Sequence, residues 1–271
     1  MSLEKIFPDW ELFGALIFML LSFGYTVTAL RAGRFRSAMV NRLAILAGFG
    51  LLSFGLWHRG HSQGACPINS LVDILLFMSW AVLLIYLLVG PAYHLSLLGA
   101  FTSPLVFIML AFALLVPESL PAHVRLEKNP WVDIHAALTM IAYGAFALAA
   151  VAGVMYLVQD RQLKKHQAGV LLYNLPPITH LGVANARLLW LGFALLTVGY
   201  AAGSISGMHG NVHVPVIKFA ASALIWAGYG GVLGLRWLGR LSPKRTAMAS
   251  IAVFTVALVL LPPIQFLSTH K

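Results

Sequence analysis

The chain has ten histidines and only eight acidic residues. Imidazole is a common ligand for haem iron and for other metals, so these are the residues whose type points most directly to chemistry. Their placement is uneven. His58, His61, His123, His135, His209, His213 and His270 fall at or beyond one set of ends of the long apolar segments, and His94, His166 and His180 at the other. A lone histidine in a loop is ordinarily just solvated. His135 is different. Asn129-Pro130 reads as a helix start, with Asn as N-cap and Pro in the first helical position, which puts His135 between one and two turns into an apolar helix. An ionisable group inside a membrane is costly and is a functional candidate by default. Asp73 and Lys218, each near the end of an apolar segment, share that argument, against the plainer reading that they snorkel to the interface. His270 follows the last apolar segment. Packed beside the helix that holds His135, it would stand at similar depth, and two imidazoles on either side of an iron make a bis-histidine haem site. No CxxCH occurs, so such a haem would be haem b, held non-covalently. The single cysteine, Cys66, excludes disulfide frameworks, CxxC redox chemistry and thiolate metal clusters.

The elements that must position these residues follow from composition. Of the 271 residues, 60% are hydrophobic and 10% charged, where soluble domains carry roughly 25% charged residues. The excess apolar surface needs lipid as its solvent. Eight segments are long enough to cross a hydrocarbon core of ~30 Å: about 12–30, 43–58, 70–90, 95–116, 132–157, 188–206, 213–235 and 246–267. Backbone groups in lipid must be satisfied internally, and the alternating polarity of barrel strands is absent, so the segments are helices. The sequence therefore predicts an all-α integral membrane protein, a bundle of eight transmembrane helices forming a single domain over 1–271. Gly90-Pro91 predicts a tight hairpin between the third and fourth helices, and 158–187 is the longest loop. Trp57, Trp80, Trp131, Trp190, Trp226 and Trp237 are expected near helix ends as an interfacial belt.

Charge orients the bundle. The loops at 31–42, 158–187 and 236–245 hold 12 Lys and Arg residues, and the opposite side holds 6. By the positive-inside rule those three loops are cytoplasmic, and both termini are extracytoplasmic. The net charge of +10 is then a property of inner loops rather than a nucleic-acid footprint. At the N-terminus Glu4, Asp9 and Glu11 precede the first apolar run and Arg31, Arg34 and Arg36 follow it. That order predicts an uncleaved first helix rather than a signal peptide.

Three blocks carry a family resemblance. The first is Pro67-Ile68-Asn69-Ser70-Leu71-Val72-Asp73-Ile74-Leu75-Leu76-Phe77-Met78-Ser79-Trp80. The second is Trp131-Val132-Asp133-Ile134-His135, followed by Tyr143 and by Tyr156-Leu157. The third is Leu175-Pro176, then Gly192-Phe193-Ala194-Leu195-Leu196-Thr197-Val198-Gly199 with Gly203. In this order the chain resembles, over roughly 40–270, the cytochrome c assembly membrane proteins of the CcsA type and their shorter HemX-like and YpjD-like relatives. The resemblance implies a multi-pass protein of a bacterial cytoplasmic (inner) membrane. It implies haem bound by outer-face histidines, with a second cytochrome c assembly protein and apocytochrome c as partners besides lipid. His135 matches the first of those histidines, His270 the second by its place after the final helix, and His58 a histidine at the end of the second helix. The tryptophan-rich segment of the haem-presenting members is replaced here by Ser206-Gly207-Met208-His209-Gly210-Asn211-Val212-His213-Val214-Pro215, which has no tryptophan. This stretch looks more like the YpjD-like branch, and it offers His209 and His213 as substitute ligands. Lys218 is a cation for a haem propionate.

Two other classes stay open. One is a non-catalytic regulatory or scaffolding membrane partner that binds no haem. The other is a small-molecule transporter, which lacks the pair of Gly/Pro-broken helices expected in matching halves. No Walker loop, GxSxG or HExxH is present, so nucleotide and hydrolase chemistry have no support.

Overall fold

A computed structural model describes residues 10–31, 38–64, 66–68, 70–92, 98–115, 130–165, 177–209 and 216–269. The described residues form eight α-helices in chain order: α1 Trp10–Arg31, α2 Ala38–Gln63, α3 Leu71–Ala92, α4 Leu98–Leu115, α5 Pro130–Lys164, α6 Ile178–His209, α7 Val216–Trp237 and α8 Pro243–Thr269. Seven of them, all but α7, are long and apolar enough to cross a membrane. The count of seven is taken over the described residues alone, against the eight spans expected. The segment expected at 213–235 forms the helix Val216–Trp237.

Helix ends depart from the expected spans in a systematic way. α2 runs well beyond 43–58 at both ends, and α3 continues past Gly90-Pro91 to Ala92. α5 runs past 157 to Lys164, and α6 starts at Ile178 rather than near 188, so both helices extend into the stretch expected as a loop at 158–187. Apolar length reports the part of a helix that lipid demands. The helix itself continues where its polar residues still pair, as Lys164 Nζ does with Asp160 Oδ2 one turn back at 3.0 Å. At ~1.5 Å per residue α5 is about 52 Å long, well over the ~30 Å of a hydrocarbon core. The longer α6 also moves Trp190 inward from a helix end, and Trp80 and Trp226 sit in the middle of α3 and α7 rather than in an end belt.

The chain divides into two compact units, the first holding α1–α4 and the second α5–α8. In the first, α1 packs on α2 and α4, and α3 on α2 and α4. Polar side chains inside it find one another: Ser22 donates to Asn41 across the α1–α2 contact. Trp80 Nε1 donates to Ser53 Oγ at 2.8 Å while its ring stacks on Phe49.

In the second unit α5 is the central element, packed against α6 and α8. Its buried stretch is Ala- and Gly-rich, from Ala142 to Gly153. Without a hydrophobic drive between helices in lipid, association depends on close backbone approach, which small residues permit. A Cβ on Gly192 would meet the Phe146 ring at 2.6 Å, and one on Gly153 would meet the Ala247 carbonyl oxygen at 3.1 Å. Asn185 Nδ2 pins the three helices, donating to Ala149 O at 2.7 Å and to Ser250 Oγ at 2.9 Å. These contacts make α6 and α8 antiparallel to α5. The short corner Leu238–Ser242 turns α7 into α8, so α7 runs in the same sense as α5.

Candidate functional site at the head of helix α5

Pro130 is the first residue of α5, as its sequence position predicts, and Asn129 lies outside the described residues. Asp133 in the first turn suits the positive end of the helix dipole. One helical turn on is His135, half-buried against α6. Its Nδ1 lies 2.7 Å from the carbonyl oxygen of Gly199. A carbonyl only accepts, so Nδ1 carries the hydrogen and donates it. This bond occupies Nδ1 and sets the orientation of the ring, so Nε2 is the ring nitrogen that remains for a ligand. Orientation of one ring nitrogen by a backbone carbonyl is what metal-ligating histidines ordinarily show.

The cradle for this ring comes from α6. Gly203 has no side chain where the imidazole lies, since a Cβ there would stand 2.7 Å from Nδ1 and 3.1 Å from Cε1. Gly199, one turn away, leaves room for Thr139, whose Oγ1 a Cβ would approach to 3.1 Å. Thr139 Oγ1 in turn donates to the His135 carbonyl at 2.6 Å. Gly199 and Gly203 belong to the third sequence block, but their role as the seat of His135 was not legible there. The signal that points to it is two glycines four apart on a helix, which make one flat strip.

Helix register assigns the other candidates on α6, α7 and α8 to a level. Lys244 Nζ lies 3.3 Å from Asp160 Oδ2. The count from Asp160 back to His135 equals the count from Lys244 on to Thr269, so the end of α8 comes level with the head of α5. His270 itself lies outside the described residues. Phe146 stacks on Tyr229 with ring centroids 3.5 Å apart. The count from Phe146 back to His135 equals that from Tyr229 back to Lys218, so the first turn of α7 falls at the same level. His209 is the last residue of α6, between one and two turns beyond Gly203. His213 lies outside the described residues.

The remaining two candidates belong to the first unit. His58 is exposed on α2 and stacks on Phe54, with centroids 6.5 Å apart. Asp73 is 2% exposed and ion-paired with Arg59 at 3.2 Å. It also caps its own helix: Asp73 N donates to Ser70 Oγ at 3.0 Å, and Ser70 N donates to Asp73 Oδ2 at 3.3 Å. Arg59 as the partner of Asp73 was missed from sequence, because two residues fourteen apart on different helices share no periodicity. Among the described residues no three His, Cys, Asp or Glu side chains gather as a metal cluster.

The family model described as "Cytochrome C assembly protein" matches residues 68–267. The chain is 26% identical to a cytochrome c biogenesis protein CcsA of Trieres chinensis over 73% of this chain and 76% of that one. It is 28% identical to Protein HemX of Brevibacillus brevis over 81% and 83%. It is 25% identical to a cytochrome c biogenesis protein CcsA of Parasynechococcus marenigrum over 91% and 90%.

Proposed function

Because the chain belongs to the cytochrome c assembly protein family, we propose that this multi-pass membrane protein handles haem for c-type cytochrome biogenesis. It binds haem b non-covalently through His135 at the outer face of a bacterial inner membrane. The observation that carries the reading is the hydrogen bond from His135 Nδ1 to the Gly199 carbonyl. It orients Nε2 as a nitrogen ligand, which fits a haem iron. The second axial position goes to His270, whose helix ends at the level of His135, with His209 or His213 as the substitute. Lys218, in the first turn of α7, balances a propionate. Bound haem would supply the iron and its redox chemistry. The chain supplies ligation and orientation, and residues 1–271 act as one transmembrane domain beside a second assembly protein and apocytochrome c.

The test is an absorption spectrum of detergent-purified protein from haem-replete cells, oxidised and reduced. A Soret band is expected, and it disappears in His135→Ala. Colourless protein that also fails to take up added haem sinks the reading.

The similarity to Protein HemX over 81% of the chain, with the tryptophan-free stretch 206–215, supports a second reading: a membrane partner that regulates or scaffolds another protein. It predicts that His135→Ala leaves function intact while changes in 158–187 impair it. Co-purification of one specific partner without a chromophore decides for it.

A further inference from the structure

The opposite end of the second unit is built for an anion. α7 closes in a Schellman turn: Gly239 takes φ +69°, Gly239 N donates to Arg236 O at 3.0 Å and Arg240 N to Leu235 O at 2.9 Å. α8 opens two residues later with Ser242 as N-cap, its Oγ accepting from Arg245 N at 3.3 Å, and Pro243 in the first position. This rigid corner sets Arg236, Arg240, Lys244 and Arg245 within one turn of chain. Lys244 reaches across to Asp160, which Lys164 also holds, so the end of α5 joins the cluster. Lys164 and Lys244 share that one carboxylate, and Arg236, Arg240 and Arg245 are close to Lys244 in the chain.

Two further observations point to what they bind. Arg236 is half-buried, and its NH1 is shielded from solvent without a hydrogen-bond partner. A guanidinium donor left unpaired is costly, and because Arg236 is only half-buried a small side-chain rotation turns it to an acceptor outside. Around the same corner the chain is strongly apolar and uncovered: Trp237 is 83% exposed and Leu238 63%. Cations beside exposed apolar side chains match an amphiphile with an anionic head, which a free anion would not require. We infer that the α7–α8 corner, with Lys164 of α5, is a binding site for the headgroup phosphate of an anionic phospholipid. The phosphodiester accepts from Arg236 and the neighbouring cations, and the acyl chains lie along Trp237 and Leu238. This inference does not depend on haem binding.

Native mass spectrometry of the full chain in detergent, with phosphatidylglycerol or phosphatidylcholine of the same acyl chains, tests it. One phosphatidylglycerol per chain is expected, held about tenfold more tightly than phosphatidylcholine. Arg236→Gln should abolish the preference. The exposed pair Arg240→Gln/Arg245→Gln should remove most of it, since roughly 1 kcal/mol per lost cation, about fivefold each, together exceeds the tenfold preference, and it decides the matter where Arg236→Gln does not fold. Equal retention of the two lipids overturns the inference, as does an undiminished preference in the folded variants. Displacement of the lipid by millimolar inorganic phosphate also overturns it, by assigning the corner to the free ion.

Discussion

The polar end formed by α2 and α3 in the first unit and the head of α5 in the second treat their ionisable groups in opposite ways. Asp73 is buried, but Arg59 neutralises it and Ser70 completes its hydrogen bonds, so the group is closed on itself. His135 is also held by one bond, to Gly199, but that bond orients the ring and leaves Nε2 unused among the described residues. A closed ion pair stabilises a fold, whereas an oriented nitrogen with a lone pair can take a ligand. The lesson is that burial of an ionisable residue in an apolar helix does not by itself mark a site. What distinguishes one is whether the neighbours satisfy the group or aim it.

Substitutions can break or sharpen this contrast. The largest effect is expected for His135→Ala, with complete loss of the Soret band while the helical circular dichroism stays unchanged. Asp73→Ala should behave the other way. It removes the Arg59 ion pair and the bond that caps the start of α3 and should lower stability by about 1 kcal/mol, while haem per folded molecule is unaltered. A thermal melt read alongside absorbance separates the two cases. If Asp73→Ala bleached the folded protein, the contrast would fail.

Gly203→Ala sharpens the argument on the second unit. It keeps His135 but drives a methyl to 2.7 Å from Nδ1. Because partners that orient a ligating histidine typically contribute 10–100-fold in affinity, haem should bind about tenfold or more weakly. A haem titration of the apoprotein that matched the wild type would remove Gly203 from the site. The smallest effect is expected for Trp80→Phe in the first unit. It removes the hydrogen bond to Ser53 and should cost about 1 kcal/mol, with no spectral change.

Much of the fold was legible in the sequence because lipid is a strict solvent. All eight expected segments are helices, and the start of α5 at Pro130 followed from Asn129-Pro130. What failed was extent. α5 and α6 outrun their apolar stretches, since Asp160 and Lys164 keep pairing beyond them. Among the described residues seven of the eight helices are long and apolar enough to span, all but α7. The candidate site was half legible. His135 stood out because an imidazole inside an apolar helix is costly, but its seat on α6 was invisible, as no local pattern states which glycine faces which ring.

By itself, then, the sequence determined the class of protein, its helices and the one histidine that an apolar helix must carry at a cost, because those follow from local composition and the demands of lipid. Only the tertiary structure decided which nitrogen of His135 is free and that Asp73 is answered by Arg59. It also decided that α5, α7 and α8 bring His135, Lys218 and the end of the chain's last helix to one level. Those outcomes depend on register between helices far apart in the chain, which close packing of glycine and alanine surfaces sets and periodicity within a segment does not.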